Sequence, residues 1–168
     1  MLASRLLLPF THGIDAQAIE HAMRVASSED ATLVLLSLIS VAQAKKGPRL
    51  EHIEQSKDIL KFVKTMARWH HVPVELHEAY TSDPVLGIIS AYQQLACDSI
   101  LVAMREQKAV LIQTPELHQL IESYATVSNI DLLHLPPKMQ LWDYVSSFSN
   151  RVHKNHEQPY GSHARLTM

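Results

Sequence analysis

A single cysteine, Cys97, serves a chain of 168 residues. No disulfide framework can be built from it, and no zinc site that needs several thiolates. Glycine is nearly as scarce. There are four, Gly13, Gly47, Gly87 and Gly161, so none falls between Gly87 and Gly161. A loop that wraps its amides around a phosphate uses glycine, which takes positive φ without strain and leaves room for the ligand. A surplus of positive charge is also missing. Lys and Arg number 15 against 17 Asp and Glu, a net charge of −2, so nothing marks the chain as a nucleic-acid binder. No stretch approaches the roughly 20 apolar residues of a membrane span. Leu6-Leu7-Leu8 is cut off by Pro9, short of the roughly 7–15 apolar residues of a secretory signal. The expectation is a soluble, cytoplasmic protein with neither a membrane nor a nucleic acid as partner. Internal repeats, low-complexity tracts, Gly-x-Ser-x-Gly and the P-loop pattern are absent as well.

What is present suffices for a core. Hydrophobic residues make up 46% and charged residues 19%, which excludes disorder throughout and suits one domain with some extra sequence. Histidine is unusually frequent, at eleven. Protonating them would turn the slightly negative chain positive, because free imidazole titrates near pH 6.5. Most are read as exposed polar residues.

Short apolar runs alternate with longer amphipathic segments. Arg5 to Phe10, Thr32 to Ile39 and Ser99 to Ala103 read as strands buried on both faces, as in a parallel sheet covered by helices. Val72 to Ala79 alternates like a more exposed strand, and Ile130 to Leu135 is a last, shorter one. Asp15 caps a helix with Ile19, Ala22, Met23 and Ala26 on one face. A second helix over Leu50 to His70 has Ile53, Leu60, Val63 and Ala67 inward, widened by Ile59, Phe62, Met66 and Trp69, while Lys57, Lys61, Lys64 and Arg68 face water. Asp83-Pro84 starts a third, with Val85, Ile88, Ile89, Tyr92 and Leu95 inward. Thr114-Pro115-Glu116 starts a fourth, with Leu117, Leu120, Ile121 and Tyr124 inward.

Repeated strand-helix-strand units with right-handed crossovers predict an α/β fold: a doubly wound, Rossmann-like, five-stranded parallel sheet with helices on both faces. The domain is expected over 1–137, ended by Pro136-Pro137, with Ala42 to Arg49 as a flexible insertion. Leu141, Val145, Phe148 and Val152, with Trp142 beside them, predict an appended amphipathic helix over 138–152. A mobile tail is expected over 153–168.

Several pieces in this order resemble the universal stress proteins of the UspA type, over roughly Arg5 to Leu135. They are Leu8-Pro9-Phe10 at the end of the first strand and the small residues Ala18, Ala22 and Ala26 in the helix after it. Ala31 to Leu36 and Ser82-Asp83-Pro84-Val85-Leu86-Gly87-Ile88-Ile89 follow, and then Cys97 to Met104. The resemblance implies the adenine nucleotide alpha hydrolase-like variety of the Rossmann fold. Many members bind ATP, through an aspartate after the first strand and a glycine-rich turn after the fourth that leads to a helix start. Here Thr11 stands at the aspartate's place, and the matching turn, Ala103 to Pro115, has no glycine. Glu106 would repel a triphosphate, and Pro115 removes an amide donor at the helix start. What is left of the nucleotide crevice is Thr11, His12, Ala103, Arg105 and Thr114, with Lys108 as a further charge. Ala109-Val110-Leu111-Ile112 form an apolar patch where the family has a polar turn. These side chains are expected to fold down into the vacated cleft or to offer a contact surface.

Other constellations are incomplete. Thr11-His12-Gly13 lacks the continuation that nucleotidylyltransferases need, and no partnered carboxylate or nucleophile stands near His12. His70 and His71 are adjacent and cannot share a helix face, so no metal is expected there or with His77. Cys97 is expected to be buried and inert. The acidic pair and phosphoacceptor of a receiver domain are missing. The chain therefore reads as a regulatory or interaction module that has lost ATP binding, with no catalytic residues and no cofactor. It is expected to dimerise through the edge of Ile130 to Leu135, while the appended helix either packs on its own domain or docks on a second subunit through Trp142, Val145 and Phe148. Two alternatives stand beside this: a nucleotide-binding protein with an atypical phosphate loop, and a scaffold acting through its C-terminal helix.

Overall fold

The structure, a computed structural model, describes residues 4–11, 14–41, 50–123 and 129–138, with the backbone alone over 50–57. The expectations for His12, the 42–49 insertion, Tyr124, the appended helix and the tail lie outside these residues. The chain divides into two units, Met1–Leu135 and Pro136–Met168. Pro136, Pro137 and Lys138 are the described residues of the second, and everything below concerns the first.

Its elements run β1 (Arg5–Phe10), α1 (Ala16–Ser28), β2 (Thr32–Ser40), α2 (Leu50–His70), β3 (Val74–Thr81), α3 (Pro84–Gln94), β4 (Ser99–Arg105), β5 (Lys108–Ala109), α4 (Thr114–Glu122) and β6 (Ile130–His134). The five expected strands pair in parallel in the order β3-β2-β1-β4-β6. The short β5 adds a sixth strand, antiparallel to the end of β4. β3 begins two residues later than the alternation suggests and runs on to Thr81, in register with Ser40.

β1, β2 and β4 bury both faces, and that is why their sequences read as unbroken apolar runs. Leu6, Leu8, Leu33, Leu35 and Leu101 join α1 and α2 in one core, with Ile19, Met23, Val63 and Met66. Leu7, Val34, Leu36, Ile100 and Val102 join α3 and α4 in the other, with Val85, Ile88, Leu117 and Leu120. Each fully buried large side chain contributes about 1.5–3 kcal/mol.

Local chemistry sets the helix starts. Asp15 accepts from the Ala18 amide at 3.1 Å, and Asp83 accepts from Val85 and Leu86 at 3.0 and 3.2 Å with Pro84 in the first turn. Gly87 lets α3 lie close on the sheet: a Cβ there would stand 2.9 Å from Leu38 Cδ2 and 3.1 Å from Thr81 Cγ2. Three helix ends close without glycine. Asp30, His71 and Ala96 take positive φ, and the next amides reach back to Ala26, Ala67 and Tyr92, the bonding pattern of a Schellman cap.

Three side chains expected inside are not there. Trp69 is 76% exposed, Ile121 45% and Leu60 38%. Val63 and Met66 hold the centre of the buried arc of α2. Trp69 and Leu60 fall at that arc's two margins, where no element among the described residues covers them.

Candidate functional site

In an open sheet of this kind the ligand crevice opens where the chain reverses direction, at the carboxyl ends of the strands on either side. Here that place is between β1 and β4. The two strands pair at two positions, Leu6 with Ser99 and Leu7 with Ile100, and then diverge. The gap beyond is occupied by the chain's own backbone. A two-residue turn at Glu106 and Gln107 folds the chain back, so that Lys108 and Ala109 pair with Arg105 and Met104. The Val110 amide then donates to Ala103 O at 2.9 Å, and the Thr11 amide donates to Leu111 O at 2.9 Å. Residues 108–111 thus bridge the ends of β4 and β1. Leu111 is 3% exposed and joins the α1/α2 core, while Ile112, 1% exposed, joins the α3/α4 core.

The turn needs a correction to the reasoning from glycine. Glu106 and Gln107 adopt φ of 49° and 65°. The left-handed backbone that a phosphate loop requires is therefore reached without glycine, at a cost of about 1–2 kcal/mol per residue. It serves a tight hairpin of the I′ kind instead of a ligand cradle.

The hairpin separates the residues that the sequence suggests for one crevice. Thr11 lies on the α4 side: its hydroxyl donates to Glu116 Oε2 at 2.9 Å, and the same oxygen accepts from the Gln113 amide at 2.8 Å. Thr114 begins α4 beside this bond and is half-buried. Arg105 lies on the α1 side. Its guanidinium holds Asp15 at 2.7 and 3.3 Å and Gln17 Oε1 at 2.7 Å, with both charged side chains largely buried. Ala103 is buried between the two sides and contributes its carbonyl. His12 is not among the described residues. The expected crevice is thus brought together along the chain but split across the sheet.

What is left open is a cleft of about 170 Å³ at the ends of β1, β2 and β3, lined by Thr11, Ser40, Thr81, Ser82 and Glu116 among others. That is below the roughly 300–1,000 Å³ usual for small-molecule pockets. Among the described residues its one charged lining group is the Glu116 carboxylate, placed at the helix start where an incoming phosphate would look for free amides. The reading from sequence took Glu116 only as part of a helix-start pattern. A glutamate three residues into a helix commonly reaches back to the N-cap amide, as Glu116 does to Gln113, and that position could have revealed it.

Asp15 and Glu75 are each held in an ion pair. Burial pushes the Asp15 carboxyl up, but Arg105 and the Ala18 amide outweigh it and hold the group below its ordinary value. At the opposite end of the sheet Arg5 forks onto Glu75 at 2.8 and 2.7 Å, and His77 Nε2 lies 3.2 Å from Glu75 Oε2. These two neighbours hold the Glu75 carboxyl at about 2. Cys97 is buried, and burial pushes its thiol up despite the nearby Arg5 guanidinium. Its burial agrees with the expectation from sequence. Among the described residues no group of three His, Cys, Asp or Glu side chains converges to hold a metal, and no helix is long and apolar enough to cross a membrane.

The topology and the site geometry together can be compared with solved structures. A universal stress protein from Archaeoglobus fulgidus superposes with a TM-score of 0.56 at 13% identity, covering 81% of this chain and 96% of its own. The fold is that of the universal stress proteins. A structure of the Archaeoglobus fulgidus protein in complex with dAMP gives a TM-score of 0.56 at 11% identity, over 81% of this chain and all of that one. A universal stress protein family member from Burkholderia pseudomallei gives 0.54 at 14% identity, over 79% and 96%. No protein-family model matches the chain, and no curated protein sequence matches it either. The likeness therefore resides in the universal stress protein fold, carried by three-dimensional arrangement at very low sequence identity.

Proposed function

We propose that the chain is a divergent universal stress protein that has given up ATP binding and works as a regulatory or interaction module, without catalysing a reaction. The observation that carries this reading is the bridge from Ala103 through Val110 and Leu111 to Thr11. It supports the reading because main chain and the buried side chain of Leu111 stand where a nucleotide would have to enter. Glu116 adds to it by spending the α4 start on an internal carboxylate. The test is isothermal titration of the full chain with ATP and magnesium. No heat of binding is expected, and micromolar affinity overturns the reading. The dAMP complex of the Archaeoglobus fulgidus protein motivates the opposite reading, a nucleotide binder with an atypical loop. Nucleotide co-purifying with the chain, seen by mass spectrometry, favours that one.

In this reading the protein is cytoplasmic and homodimeric. The assembly surface is the outer edge of β6, where Leu132 is exposed, with the appended helix as a second element. Light scattering on a Leu132→Lys variant checks the edge: a monomer is expected, and an unchanged dimer removes β6 from the interface. Deleting 138–168 checks the helix in the same way.

A further inference from the structure

The polar face of α2 carries a cluster that the switch-point geometry does not use. From Lys61 to His71 the sequence holds three Lys and Arg, two His and no acidic residue, in a chain whose net charge is −2. Residues four apart form ridges along a helix. One ridge is Lys61-Thr65-Trp69 and the one beside it is Lys64-Arg68, and all five are exposed. Trp69, at 76%, is the most exposed of the large hydrophobic side chains among the described residues. Arg68 lies in the last turn, where a cation complements the helix dipole. That effect fades within a turn and accounts for neither Lys61 nor Lys64, and it gives no reason for an uncovered indole. Asp58, one turn before Lys61, is the nearest acidic group on the same helix.

We infer that this face binds an acidic segment of another protein, with its carboxylates over Lys61, Lys64 and Arg68 and an apolar side chain against Trp69. The charge favours an anionic partner. The indole favours a partner with an apolar anchor, because Trp and Arg are both enriched among the residues that dominate protein interfaces. The patch runs about 12 Å along the helix, the reach of a few residues of extended chain. Three cations on one face of a net-negative chain are too few for a phosphate backbone, whose affinity grows with each phosphate neutralised.

The test uses the full chain and a fluorescein-labelled peptide with consecutive glutamates followed by a Leu-Phe pair, read by fluorescence anisotropy. Binding is expected, and it should weaken with salt as exposed charges are screened. Lys64→Glu with Arg68→Glu should weaken it about tenfold or more, and Trp69→Ala about tenfold. Trp69→Ala should unfold at the wild-type temperature, since the side chain is exposed, and the charge reversal within a few degrees below it, since Arg68→Glu gives up the dipole contact of the last turn. No anisotropy change overturns the inference. So does equal binding by the variants, or equal binding of the peptide with glutamines in place of glutamates. Tighter binding of a single-stranded oligonucleotide or of phosphatidylserine vesicles than of the peptide assigns the face to another class of partner and overturns it too.

Discussion

The hydroxyl of Thr11 and the carboxylate of Glu116 meet at 2.9 Å across 105 residues of sequence, and this bond ties the end of β1 to the start of α4. Because Glu116 Oε2 also accepts from the Gln113 amide, its removal unmakes two interactions together. Glu116→Ala should cost about 1–2 kcal/mol in urea unfolding. In a double-mutant cycle with Thr11→Val the two losses should be coupled by about 0.5–1.5 kcal/mol. Strict additivity would show that the tie contributes nothing.

The turn at Glu106 and Gln107 stores strain that glycine would release. Replacing them by Asn and Gly suits a two-residue I′ turn. The double variant should be more stable by about 1 kcal/mol or more, seen as a raised midpoint of thermal unfolding. Ala96→Gly, at a helix end with φ of 48°, should gain in the same direction. A loss of stability in the hairpin variant would show that the Glu106 and Gln107 side chains contribute more than the relieved backbone strain.

Arg105 and Asp15 answer a different question, whether the cation near the switch point serves a ligand or the fold. Arg105→Ala leaves a largely buried carboxylate without its partner. The expected loss is about 1–3 kcal/mol, measured by guanidinium unfolding. An unaltered midpoint would return Arg105 to the ranks of residues held for a ligand.

Acid sensitivity should trace to Glu75. Its carboxyl, ordinarily near 4.5, is held at about 2 by Arg5 and His77. A depressed folded value means that the stabilisation is present above the ordinary carboxylate range and is lost as pH falls toward 2. The advantage of the wild type over Glu75→Gln should therefore shrink between about pH 5 and pH 2. Asp15, also held low, works in the same direction. An advantage that stays constant over that range would remove the Arg5–Glu75 pair as its source.

Much of the fold was legible because its signals are local. Asp15 and Asp83-Pro84 announce helix starts through bonds to amides two and three residues on. Leu33 to Leu36 announce a two-sided strand by having no polar face at all. The helix ends were less legible: Asp30, His71 and Ala96 occupy positions where glycine is the usual marker. The candidate site was half legible. The missing glycines pointed to a changed loop, and the apolar run was expected either to fold into the cleft or to offer a contact surface; Leu111 and Ile112 are buried, while Ala109 and Val110 are half-buried. The partners of Arg105 and Thr11 were hidden, because Asp15 and Glu116 lie 90 and 105 residues away.

By itself the sequence determined the order of elements and the two apolar faces of the sheet, since periodicity records which side chains within an element must leave water. Only the tertiary structure decided what covers them. Ile112 and Trp69 are both large and apolar, yet one is sealed against α4 and the other faces solvent. Burial depends on which neighbour the topology brings alongside, and that neighbour is set by strand pairing over long separations, which no local pattern encodes.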